Sequence, residues 1–292
     1  MLWQLIINGI IAGAGYALVG IGFALIYNVG RFFHFAHGIL FTVGAYTAFL
    51  CNQLLGLPLF LSVPVAIAVT AASGCLLNLV ILGPITRRGG SPLVLLLASL
   101  GLYIVIQNVI SLCFGDDIKT LSLGTIEKGL DFFGARVTPV QISIVISSAM
   151  LLIAVALFLR TTGLGKAMRA VSSNAALAEV CGISSRRLVL YAFGIGSALA
   201  GIAGVLAALD VNMTPTMGLN ALMMGIVAVI IGGSQSVSGI ALGALLIGLA
   251  QHVGAWKIGT QWQDSIAFII LFIFLLLRPE GFLGKKIRKA AI

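Results

Sequence analysis

Charge is what this sequence most lacks. Aspartate, glutamate, lysine and arginine make up 9% of its 292 residues, and only eight of these are acids. All eight acids fall in loops or at the ends of apolar runs, so no carboxylate stands where proton or sodium coupling through a mid-membrane acid would need one. The four cysteines, Cys51, Cys75, Cys113 and Cys181, form no CxxC pair and share no ligand spacing with histidine, and they read as small core residues. His34 and His37 are i,i+3 neighbours and His252 stands alone. A metal site needs further ligands that the sequence does not place nearby, so hydrogen bonding at a helix end or between helices is the expected role of all three. Catalytic spacings are missing too, with no HExxH, no GxSxG and no paired acids on one helix. Gly163-Leu164-Gly165-Lys166-Ala167 lacks the upstream glycine and the hydroxyl of a phosphate-cradling loop, and Gly232 to Gly239 contains no lysine. The chain therefore reads as a non-enzyme that binds no cofactor and no metal. A pump built on it takes its energy from another subunit.

Hydrophobic residues are plentiful at 60%, in long runs along the whole chain. Runs of about 20 apolar residues fit membrane-spanning helices rather than the alternating strands of a barrel. Hydropathy places spans at 5–27, 34–50, 59–82, 93–114, 139–159, 189–209, 219–231, 239–256 and 264–277. The expected fold is all-α, a single polytopic domain over residues 1–292 with about nine membrane helices. Glycine numbers 36, and Gly9/Gly13, Ser197/Gly201 and Gly239/Gly243 each have the small-xxx-small spacing that lets helices approach closely. The first run has no cationic lead-in (Met1, Leu2, Trp3, Gln4) and is longer than the core of a signal peptide, so it reads as a retained helix.

Positive charge orients the bundle. With nine spans and an outside N-terminus, Arg31, Arg87, Arg88, the segment 160–188 and the tail cations Arg278, Lys285, Lys286, Arg288 and Lys289 all fall inside, together with a cytoplasmic C-terminus. The opposite side receives the loop 115–138, with Asp116, Asp117, Glu127 and Asp131 against Lys119, Lys128 and Arg136, and also Asp210. Orientation and anionic headgroups account for the net charge of +9, which leaves a nucleic-acid partner without support.

One polar interruption stands out inside, from Arg160 to Leu188, with five cations against one acid. Leu164, Met168, Val171, Ala175 and Ala178 recur at helical spacing and form an apolar stripe, while Lys166, Arg169, Ser173 and Glu179 face elsewhere. Ser172, Ser173 or Asn174 can instead cap a second short helix that Gly182 ends. One helix or two both fit the pattern, as do a protein partner and a headgroup surface.

Four blocks carry a family resemblance. Phe35-Ala36-His37-Gly38 with Gly44-Ala45-Tyr46, Arg169-Ala170 through Asn174, Ala178 and Gly182-Ile183, the turn Ile231-Gly232-Gly233 with Ser236 and Gly239, and Arg278-Pro279-Glu280-Gly281-Phe282-Leu283-Gly284 resemble, in order, the motifs of permease subunits of branched-chain amino acid (Liv-type) ABC importers. Relatives in that family carry urea, short amides and other small solutes. Two positions depart from the family pattern: His34 stands in place of asparagine and Gln235 in place of glycine. The resemblance implies a bacterial inner-membrane permease for branched-chain amino acids, with the urea, amide or small organic acid class as its alternative cargo and an ATP-independent channel or carrier as the other reading. It implies as partners a second permease subunit, two cytoplasmic ABC ATPases that hold ATP and Mg, an external solute-binding protein, and lipid. On that basis Met168, Arg169, Asn174, Ala178, Glu179, Gly182 and Ile183 are the candidate ATPase-coupling residues, with the apolar stripe packed into the partner. Asn8, His34, His37, Thr42, Gln107, Asn108, Gly232, Gly233 and Gln235 are candidates for the solute path or its gate between subunits. Asp116, Asp117, Asp131 and Asp210 are candidates for docking the binding protein.

Overall fold

A chain this apolar has to satisfy its backbone hydrogen bonds internally, and it does so almost entirely by helix. The computed structural model describes residues 2–121, 129–132 and 134–284. Met1, Glu127, Lys128, Lys285, Lys286, Arg288 and Lys289, named above, lie outside them. The helices are α1 (Leu2–Gly30), α2 (Ala36–Phe49), α3 (Leu59–Leu77), α4 (Gly83–Arg87), α5 (Pro92–Phe114), α6 (Pro139–Thr161), α7 (Gly163–Ser173), α8 (Ala175–Val180), α9 (Ser185–Asp210), α10 (Met217–Gly232), α11 (Val237–Ile258) and α12 (Gln263–Leu277). A π-helical turn over Leu50–Leu54 extends α2, and another over Asn78–Leu82 joins α3 to α4. Two short strands, β1 (Leu130–Phe132) and β2 (Ala135–Val137), pair antiparallel before α6.

Each of the nine apolar runs falls on a helix. Among the described residues, seven helical stretches are long and apolar enough to cross a membrane, namely 2–30, 59–87, 92–114, 139–161, 185–210, 237–258 and 260–277. Met217–Gly232 is apolar but shorter. Helix starts follow capping chemistry: Ser91 accepts from the Val94 N–H ahead of Pro92, and Thr138 and Gln141 form a reciprocal capping box around Pro139.

α1 is apolar on every side, and such a helix is buried on every side. It packs against α11, α9, α10 and α6, while α2 packs against α9, α3 and α10. α5, α6 and α12 form the rim and turn broad apolar faces outward, as Leu112, Met150 and Leu277 show. The small-residue pairs sit at the inner crossings. A Cβ on Gly9 would lie 2.9 Å from the Gly248 carbonyl oxygen, and one on Gly13 would lie 2.9 Å from that of Ala244. One on Gly243 would lie 2.5 Å from the Ala228 oxygen, and one on Gly44 would lie 2.6 Å from the Cα of Gly201. Ser197 in turn fills the space in front of Gly74.

Side-chain contacts define two ends. At one, the Arg31 guanidinium donates to the Ser172 carbonyl, Asn28 donates to the Ser234 carbonyl at 2.7 Å and the Phe282 N–H donates to the Ile231 carbonyl at 2.7 Å. At the other, Gln4 exchanges hydrogen bonds with the Arg136 backbone at 3.0 and 2.8 Å, and Lys119 bridges to Met213. The first end collects the cations of the α3–α4 rod, α7 and the closing block, and the second collects Asp116, Asp117, Asp131 and Asp210.

Gly13→Leu should lower the thermal unfolding midpoint of the detergent-solubilised chain by several degrees, because overpacking this crossing costs about 1–3 kcal/mol. Gly101→Ala, where an added Cβ meets nothing within 4 Å, should leave the midpoint in place.

Candidate functional site

The polar segment folds as two helices, and Asn174 is the reason. Its extended backbone (φ −152°) breaks α7, while its side-chain oxygen accepts from the Leu177 N–H at 3.0 Å and so opens α8. α8 closes at Gly182, whose φ of +81° suits a residue without a Cβ. There the Gly182 N–H donates to the Glu179 carbonyl at 2.9 Å and the Ile183 N–H donates to that of Ala178 at 3.0 Å, a paired closure that satisfies two end carbonyls.

The apolar stripe requires a correction. Met168 (2% exposed), Val171 and Ala178 pack against Val29, Leu188 and Ala192 of the chain's own bundle, so they are not free to enter a partner. Leu164 and Ala175, at the stripe's other positions, are exposed. Burying the stripe against its own helices satisfies the same hydrophobic requirement that a partner would have met. What the corner presents outward is Arg169, Asn174, Glu179 and Gly182, with Leu177 and Val180, 85% exposed, as an apolar pair one helical turn apart. Their i,i+3 spacing was the available signal for this second face.

Two of the sequence blocks meet at the same end. The Gly232-Gly233 turn receives hydrogen bonds from the closing block, Phe282 N–H to the Ile231 carbonyl at 2.7 Å and Leu283 N–H to that of Gly232 at 3.2 Å. A Cβ on Gly281 would stand 2.7 Å from the Gly233 nitrogen, so that clamp needs glycine. Gly232 and Gly233 are buried in it and Gln235 is exposed at its tip. Gly233 also borders a cavity of about 200 Å³ with Phe23, Tyr27, Phe33, Ser234 and Glu280.

The histidines divide. The His37 imidazole Nε2 pairs with the Val19 carbonyl at 3.2 Å, joining α2 to α1, and His252 Nδ1 pairs with the Gly248 carbonyl of its own helix at 3.0 Å. His34 departs from the expectation: both ring nitrogens lack a partner among the described residues, and the ring lies 4.8 Å from that of Phe193 and 5.9 Å from that of Phe32. Aromatic packing replaces hydrogen bonding there. Thr42 is buried where α2 crosses Gly218. Gln107 is half-buried and Asn108 is exposed on α5, with the Asn108 amide donating to the Ile104 carbonyl of its own helix at 2.8 Å.

At the acidic end the loop carboxylates find local partners. Asp116 accepts from Ser111, Asp117 lies 4.0 Å from Lys119 and Asp131 lies 3.8 Å from Arg136. Asp210 turns elsewhere. Half-buried against Gln141, it lines a cavity of about 470 Å³ that also reaches Asn8, Tyr16, His252 and Gln263. Asn8 and Asp210 are therefore neighbours in one cavity, although the sequence assigned them to different tasks. The other polar lining residues come from α1, α6, α11 and the start of α12, and no local spacing unites them. The cavity extends inward to Leu18 and Val19, and the smaller one begins at Phe23. One helical turn of α1, about 6 Å, separates the two.

Apolar rods wrapped around a buried central helix, with cavities entering between them, make this a multi-pass membrane protein. Residues 5–275 match the family described as "Branched-chain amino acid transport system / permease component", and the chain belongs to that family. It is 33% identical to the "High-affinity branched-chain amino acid transport system permease protein BraD" of Pseudomonas aeruginosa, over 97% of this chain and 95% of that protein. LivH of Salmonella typhimurium, of the same description, is 30% identical with the same coverage. LivM of Escherichia coli is 26% identical over 92% of this chain and 67% of its own length. A chain of the solved "PsaBC from Streptococcus pneumoniae in complex with Fab" aligns at a TM-score of 0.49 with 15% identity, covering 95% of this chain and 91% of that one.

Asn174→Ala should loosen α8 without unfolding the bundle. Loss of a cap costs about 1 kcal/mol, so exchange of the Leu177 amide should rise about fivefold in hydrogen exchange while amides within α9 are unaffected.

Proposed function

We propose that this chain is the transmembrane subunit of an ATP-driven importer for branched-chain amino acids in a bacterial inner membrane. A second permease subunit, two cytoplasmic ATPases carrying ATP and Mg, and an external solute-binding protein complete the assembly. The observation that carries this reading is near-full-length similarity to proteins named as high-affinity branched-chain amino acid permeases. Nine crossings, with the N-terminus outside and the C-terminus cytoplasmic, agree with the separation of cations and acids between the two ends. On that orientation the α7–α8 corner is the cytoplasmic element that meets an ATPase. Arg169 and Glu179 set polar contacts around the Leu177 and Val180 pair, and Met168, Ala178 and Ile183 brace the corner from within. Asp116, Asp117 and Asp131 form the landing surface for the binding protein. The outward faces of α5, with Gln107 and Asn108, supply a surface for the second permease.

Charge reversal at Arg169 and Glu179 together should abolish L-leucine uptake by the assembled complex while membrane insertion stays normal. Uptake at the wild-type rate would remove the coupling assignment. Leucine flux in liposomes holding this chain alone would favour a self-sufficient carrier, and uptake of urea or a short amide in place of leucine would reassign the cargo.

A further inference from the structure

The cavity at the acidic end is lined by residues of α1, α6, α9 and α11. Its lining combines apolar surface with polar side chains drawn from several elements, the composition of a ligand site. Among the described residues, Asp210 is the one carboxylate in its lining, and neither lysine nor arginine lines it. Because the Gly248 carbonyl can only accept, His252 Nδ1 carries the proton of that bond, and in the neutral ring Nε2 is then an acceptor. Gln141 already accepts from the Thr138 N–H through its oxygen, at 3.1 Å, so its amide nitrogen is the group left to face Asp210. Asn8 accepts from Gln4 at 3.1 Å and keeps its own N–H groups as donors. Ile11, Leu18, Ile144 and Leu206 add aliphatic surface to the same lining.

Such a lining matches one kind of molecule. A carboxylate and an imidazole acceptor receive an ammonium group, the Asn8 amide and Tyr16 hydroxyl can donate to a carboxylate, and the aliphatic surface covers a short branched hydrocarbon. We propose that this cavity is a binding site for a small aliphatic amine or amino acid, with its ammonium group paired to Asp210. The amino-acid identity of the natural occupant rests on the import reading above; recognition of the ammonium group does not. Val19, in its lining, is the residue whose carbonyl is tied to His37. Occupancy is thereby placed one helical turn of α1 from the cavity at the opposite end.

Equilibrium dialysis of the purified full-length chain in detergent tests this with three probes: L-leucine, isoamylamine, which lacks the carboxylate, and isocaproate, which lacks the ammonium. Leucine and isoamylamine should bind saturably and isocaproate should not. Asp210→Asn should weaken both binders about tenfold or more, as loss of a partly buried charge partner does, and Asp210→Glu should restore part of the affinity. Ala207→Phe, which fills the cavity from its α9 wall and leaves the carboxylate in place, should also abolish binding and covers the case in which Asp210→Asn fails to fold. Equal binding of isocaproate, no binding of isoamylamine to the wild-type chain, or wild-type affinity in Ala207→Phe would each overturn the proposal. Leucine import by the complex at an unchanged KM with Asp210→Asn would overturn it while the import reading stands. Isoamylamine binding that depends on Asp210, in a complex that imports no branched-chain amino acid, would do the reverse.

Discussion

Everything in this bundle depends on how closely other helices approach α1. Four glycines of that helix set the spacing. Gly9 and Gly13 meet α11, a Cβ on Gly20 would lie 3.0 Å from the Gly225 oxygen of α10, and one on Gly22 would lie 2.7 Å from the Gly196 oxygen of α9. Lipid offers helices no hydrophobic reason to associate, so dispersion contacts at short range and weak backbone contacts must hold them together. The same helix also makes room. At Gly15 an added Cβ would meet nothing within 4 Å, and there the larger cavity opens.

That central position ties the two ends together. The α7–α8 corner is held to the end of α1 through Arg31 and Ser172 and through the packing of Met168 and Val171 on Val29. Displacing the corner therefore loads the helix that lines both cavities. The closing block adds a second restraint, since it clamps the Gly232-Gly233 turn at the foot of α10. Permease function calls for an element that moves as a unit, and a corner with its apolar stripe buried in its own bundle behaves as one piece of the molecule. Its outward surface is then left to Arg169, Asn174, Glu179 and the Leu177 and Val180 pair.

Much of this was legible in the residues. Apolar runs located every long helix, because in hydrocarbon the backbone has no alternative to helix. Asn174 and Gly182 announced a possible break, since both act through local geometry that a few neighbouring residues decide. The direction in which the stripe of Met168, Val171 and Ala178 faces was not legible, because amphipathicity reports that one side is buried and not what buries it. Nor was the fate of His34, whose ring is enclosed by Phe32 and by Phe193 far along the chain.

By itself the sequence determined the class of protein, the positions of the helices, the separation of charge between two ends and the family, since each follows from composition, periodicity or local motif. Tertiary structure alone decided that Asn8, Tyr16, Gln141, Asp210, His252 and Gln263 share one cavity and that the closing block locks onto the Gly232-Gly233 turn. Both are meetings of residues far apart in the chain. They exist only because glycine lets the helices that carry them cross at backbone distance, and which glycines meet is a property of the packed bundle.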